Sequence, residues 1–144
     1  MTLNTYKRIN KNCKLRSLGL TPENLEELEK QLIKEKWKSP DTYNREFSPL
    51  PTESGVYLFT LIDLFDYKSN PRVGLVAYVG MSKNILKRIS SHPTKRKIEK
   101  LNLYTKTWFL PYPEEETRNL ERELIRRFNP PWNLIGKKIG VEAL

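Results

Sequence analysis

The chain has 144 residues and a formal charge of +9 from 26 Lys and Arg against 17 Asp and Glu, which suits one ordinary domain with an extension and favours polyanionic partners such as nucleic acid. No apolar run is long enough to cross a bilayer, and the opening MTLNTYKRINKNCKLR lacks the apolar stretch of a secretion signal, so a cytoplasmic protein without a membrane partner is expected. Cys13 is the only cysteine and His92 the only histidine, which excludes a disulfide framework or a Cys/His zinc site within one chain; any metal must be held mainly by oxygen.

Residues 1–16 carry Lys7, Arg8, Lys11, Lys14 and Arg16 with no acid and no clear apolar period, and read as a flexible or partner-ordered arm. TPENLEELEKQLIKEKW follows as a helix, with Thr21 as N-cap, Pro22 at the first position, and Leu25, Leu28, Leu32, Ile33 and Trp37 recurring at helical spacing. The proline-rich SPDTYNREFSPLPTES is a connector. The chain thus divides into residues 1–50 (arm, helix and connector) and a main domain over 51–144.

GVYLFTLI at 55–62 and LVAYV at 75–79 are rich in β-branched and aromatic residues, and the turn-forming DLFDYKSNPRVG between them predicts a hairpin with a long loop. Ser82 is placed to cap a helix KNILKRISSH, which Pro93 interrupts before TKRKIEKLN resumes a helical pattern. YTKTWFL at 104–110 reads as a third strand. PEEETRNLERELIRRF, with acids first and arginines last as a helix dipole prefers, is the final helix, stopped by Asn129, Pro130 and Pro131. This order predicts a small α/β fold of the α+β kind, with a largely antiparallel three-stranded sheet flanked by helices and an N-terminal helical extension.

Two helices break their own pattern. At about 100° per residue, Leu120, Leu124, Ile125 and Phe128 fill one arc and Glu121 falls in its middle, while Arg122, Glu123, Arg126 and Arg127 lie outside it as a solvated face. A carboxylate there needs a partner: a nearby Arg or Lys, or a metal ion at the base of a pocket. On the earlier helix Ile85, Leu86 and Ile89 point inward, and Arg88 and His92, four positions apart, lie along its flank within reach of one small target.

GVY at 55–57 and YVG at 78–80 resemble the two name motifs of the GIY-YIG nuclease family, and Arg88, His92, Glu121 and Asn133 stand at the family's spacing after them. MSKNILKRISSH and LERELIRRFNPPWN are similar to its helix and its ending. The glutamate that the family pattern selects is the one that the wheel had already set apart. Met81 departs from the pattern, since many members carry Lys there and Lys83 is the nearest substitute; the turn between the motifs is also longer than in compact members.

The resemblance implies an endonuclease that hydrolyses DNA phosphodiester bonds, one strand per site, with RNA also open as a substrate. On that implication Tyr57 activates water with its phenol lowered by nearby positive charge. Tyr78 positions water or phosphate, Arg88 holds the scissile phosphate, and His92, titrating near neutrality, takes or orients the Tyr57 proton. Asn133 organises the site, and Glu121 is the sole protein ligand of Mg²⁺ or Mn²⁺. Lys83, Lys87, Lys95, Arg96 and Lys97 would supply non-specific backbone affinity together with the basic arm. The alternatives are a nucleic-acid-binding module of the same fold with weak or no activity, and a catalytic subunit whose residues 1–50 dock a partner or a second copy. Trp132 reads as a core aromatic.

Overall fold

The structure, a computed structural model, describes residues 23–40, 49–62, 73–100 and 104–133. The basic arm with Cys13, the expected cap at Thr21 and Pro22, most of the connector and the long loop after residue 62 lie outside the described residues. The elements in chain order are β1 (Glu23–Asn24), α1 (Leu25–Lys34), β2 (Gly55–Ile62), β3 (Val73–Ser82), α2 (Ile85–Ser90), α3 (Pro93–Glu99), β4 (Tyr104–Pro111) and α4 (Glu114–Phe128).

The three expected strands form the body of an antiparallel sheet in the order β1-β3-β2-β4, and the two-residue β1 adds a short edge beside β3. Alternation along β2 sorts its side chains onto two faces. Val56 and Leu58 pack with Leu28, Leu32 and Trp37 from the α1 region and with Leu124 of α4. Tyr57 and Phe59 face the other way, onto Ile85 and Ile89 of α2.

β3 carries one residue too many for this alternation. Phe59 pairs with Tyr78 and Thr60 with Val76, which leaves Ala77 without a partner on β2. Such a bulge reverses which face the following side chains take. Val76 and Val79 both enter the α1/α4 core, and Tyr78 turns to the face that holds Tyr57 and Phe59. The outer edge of β3 is closed by the segment after α4: the Trp132 N–H donates to the Ala77 carbonyl at 3.0 Å. The Asn133 amide donates to the Val79 carbonyl at 2.7 Å and accepts from the Val79 N–H at 2.9 Å.

The helix ends differ from the sequence expectation in three places. Asn24 caps α1 by accepting from the Glu27 N–H at 3.1 Å. Asn84 rather than Ser82 caps α2, accepting from the Lys87 N–H at 3.0 Å, because the Ser82 hydroxyl is engaged with the Asn84 backbone, donating at 2.9 Å and accepting at 3.0 Å. α2 stops at Ser90, since a residue before proline is pushed out of the helical region, and His92 accordingly has φ −81° and ψ 115°. His92 is the N-cap of α3, so it does not share a helical flank with Arg88.

Two residues expected inside are on the surface: Ile33 is 58% exposed and Leu86 41%. α2 is too short to bury a wide stripe and seats only Ile85 and Ile89, one turn apart. α1 is joined to the sheet and to α4 by polar contacts as well as by its core residues. Lys106 Nζ lies 2.6 Å from Glu29, and Arg127 grips Glu35 through two bonds of 2.6 and 2.7 Å.

Candidate active site

The motif glycines are dictated by space. Gly80 lies opposite Tyr57 on the paired strand, and a Cβ there would overlap the Tyr57 ring and hydroxyl. A Cβ on Gly55 would run into the Leu110 carbonyl and, at 2.8 Å, the Ile85 side chain. The Tyr57 ring and hydroxyl thus lie over the backbone of Gly80.

That hydroxyl meets His92. Tyr57 Oη and His92 Nε2 are 2.8 Å apart, and both residues are almost fully buried. His92 Nδ1 accepts the capping N–H of Lys95 at 3.4 Å, so in the neutral ring Nε2 carries the hydrogen and donates it to the Tyr57 oxygen. With the hydrogen on Nε2, the imidazole is a donor to the phenol oxygen. Burial, then the charges of Arg88 and Lys95, push the His92 pKa down to about 4, below the near-neutral value expected from the sequence.

Aromatic rings enclose the pair. His92 meets Phe59 edge-on at 5.0 Å and Tyr78 at 4.9 Å between centroids, while Tyr57 and Tyr78 lie 6.2 Å apart. Burial is the main reason that both phenols are harder to ionise than an exposed tyrosine. For Tyr57 the neighbouring Tyr78 adds to this and Arg88 opposes it. Arg88 alone does not bring the Tyr57 phenol down; the sequence expectation names a metal ion, besides Arg88, as the second source of positive charge. The benefit runs the other way: polar interaction with Tyr57 outweighs desolvation and holds the Arg88 guanidinium firmly charged, with Tyr78 adding to the effect.

Glu121 is half-buried on α4 and makes no hydrogen bond or ion pair with any described residue. Burial raises its pKa, against the pull of Arg118 and Arg122, and its charge is felt at Tyr78. No group of three or more His, Cys, Asp and Glu side chains suited to a metal occurs among the described residues. A cation at Glu121 would take one carboxylate and draw its remaining ligands from water and substrate, a donor set that suits Mg²⁺ or Mn²⁺.

Asn133 does not enter the cage; it grips the backbone of Val79, between Tyr78 and Gly80. Lys87, Arg96 and Lys97 are exposed on α2 and α3, and Lys95 lies 4.0 Å from Glu99. Lys83 pairs with Glu114 at 3.4 Å on the rim of an open cleft of about 500 Å³, which Met81, Ser82, Thr117 and Arg118 also line. Sequence reasoning missed Phe59 and Ala77. Phe59 was detectable as the same-face neighbour of Tyr57 two positions on; the Ala77 bulge left no signal, since LVAYV reads equally well as a regular strand.

No family model matches the chain, and no solved structure matches it significantly. Over 93 residues, 60% of this chain, it is 33% identical to the UvrABC system protein C of Methanococcus maripaludis. The chain spans 16% of the length of that relative, so the similarity joins the larger part of this chain to a small segment of a much longer protein.

Proposed function

We propose that the protein is a metal-dependent endonuclease that hydrolyses DNA phosphodiester bonds, cutting one strand per site. The observation that carries this reading is the Tyr57 hydroxyl, fixed by His92 and shared with Arg88, next to a second phenol, Tyr78, that feels the charge of the half-buried Glu121 carboxylate. The GIY-YIG motifs and the likeness to a segment of a UvrABC system protein C support it.

A divalent ion at Glu121 would stabilise charge on the phosphoryl oxygens and acidify water. The protein's own residues do the rest. Arg88, exposed at its outer end and held in its charged form, binds the scissile phosphate and stabilises the charge that grows on it. Tyr57 can accept a proton from water only as the phenolate, and the His92 Nε2–H already points at its oxygen to stabilise that form. Burial opposes this ionisation, so the base becomes competent only when cationic charge around it is complete. Tyr78 presents its hydroxyl beside Tyr57 to align phosphate or water, and Asn133 positions it through the strand backbone.

A second reading, a binding module of the same fold, draws on the same burial: a phenol this hard to ionise is a poor base unless charge is added. Nicking of supercoiled plasmid separates the two. Wild type is expected to nick with Mg²⁺ or Mn²⁺ and not with chelator, and Glu121→Ala is expected to lose at least about a hundredfold in rate while still binding DNA. Wild-type nicking by Glu121→Ala in Mg²⁺ would overturn the metal assignment, and no nicking by either protein favours the binding module.

A further inference from the structure

On α4, Arg118, Arg122 and Arg126 recur every fourth residue along the flank next to Glu121, whereas Arg127 on the other flank is taken by Glu35 of α1. All three are exposed, and none makes an ion pair or hydrogen bond with a described residue. Like charges at this spacing repel and weaken a helix, where alternating signs would strengthen it. Complementing the helix dipole needs cations only in the last turn, which leaves Arg122 unexplained; Arg118 follows Glu114 by four residues, but the Glu114 carboxylate pairs with Lys83 at 3.4 Å and Arg118 stays unpaired among the described residues. Such a local departure from helix-stabilising chemistry is expected where a surface serves a ligand.

The ridge adjoins the site. Arg118 and Arg122 both act on the Glu121 carboxylate, and Arg118 lines the same cleft as Lys83. From Arg118 to Arg126 is about 12 Å along the helix axis, roughly the axial length of three phosphate steps on one DNA strand. Glu114, Glu115 and Glu116 in the first turn reverse the sign and mark where such a track ends.

We infer that the Arg118–Arg122–Arg126 ridge of α4 is a docking track for the DNA phosphate backbone, distinct from the cations of α2 and α3, which holds the strand against the Glu121 side of the site. The inference rests on the nuclease reading for its substrate, but it is tested by binding alone. Anisotropy of a fluorescein-labelled DNA duplex of mixed sequence, measured in chelator across a salt series, gives the number of phosphates neutralised. The Arg118→Gln/Arg122→Gln/Arg126→Gln variant keeps helix propensity and is expected to flatten the log–log salt slope by about 2–3. A control of equal charge change, Lys34→Gln/Lys36→Gln/Lys38→Gln on and after α1, is expected to change it by less than about 1. An unchanged slope in the arginine variant, or an equal change in the control, overturns the track. Stronger competition by an RNA duplex of the same sequence overturns the DNA assignment. Should the triple variant melt early, Arg122→Gln alone is expected to remove about one unit of slope, and no change there has the same force. Plasmid nicking by wild type reports on the nuclease reading separately, so either can fail without the other.

Discussion

At the scale of single residues, the site turns on one imidazole that is neutral by construction. Because His92 is the only histidine, its ring protons give one unambiguous NMR titration. The folded pKa of about 4 lies below the ordinary 6.5, so the unfolded chain binds the proton first. This contribution to stability is complete above about pH 6.5 and is lost as pH falls toward about 4, by up to about 3 kcal/mol. The wild-type urea midpoint is expected to drop between pH 7.5 and pH 5 by more than that of His92→Gln, with the ring still neutral at pH 5.5. A ring that titrates at 6.5 in the folded protein refutes the buried arrangement. On the proposed mechanism Arg88 holds the scissile phosphate, so Arg88→Ala is expected to slow nicking by about 10²–10³-fold, whereas Lys97→Ala mainly changes the salt dependence of binding. Equal effects of the two would reduce Arg88 to one more surface cation.

Elements were legible in the sequence where local chemistry and burial agree. The three strands, the last helix and its Pro-Pro stop follow from β-branched runs, charge order and turn residues. Glu121 stood out because it interrupts an apolar arc, a conflict that helical spacing alone displays. Helix caps were less legible: Ser82 and Asn84 are both good caps, and only the folded backbone shows which side chain is already engaged. His92 shows the same limit. Pro93 was recognised as a break, but whether the residue before it ends one helix or begins the next depends on where its side chain finds a partner.

The bulge at Ala77 was not legible, because an extra residue exists only relative to the strand it pairs with. Its consequence is testable. Deletion of Ala77 leaves Val76 opposite Thr60 and Tyr78 opposite Phe59 in a regular ladder, so Tyr78 is expected to stay in the cage, with far-UV circular dichroism near wild type and nicking retained. Loss of nicking to background with the fold intact would show that the bulge itself, and not the pairing on either side of it, aims Tyr78.

For the whole molecule, α1 is more than an appendage. Leu25, Leu28, Leu32 and Trp37 are buried, three of them in one core cluster with Leu58, Trp108 and Leu124. At about 1.5–3 kcal/mol for each large apolar side chain, these four contribute as much as the entire net stability of an ordinary domain, about 5–15 kcal/mol. A chain that begins at residue 49 is therefore expected to be insoluble or molten, with poor dispersion of amide resonances, and a sharp cooperative melt from it would show that 51–144 is self-sufficient.

The closure of β3 by Trp132 and Asn133 bears on how the protein comes into being. The strand that carries Tyr78 and Gly80 leaves the ribosome some fifty residues before the segment that covers its edge. During synthesis the edge stays open and Tyr78 lacks its final support, so the site cannot reach its finished geometry until nearly all of residues 1–133 have emerged. A chain that lacks the segment after α4 is thus expected to leave the β3 edge open to strand-to-strand association, and the few residues 129–133 are what turn that sticky edge into a covered one.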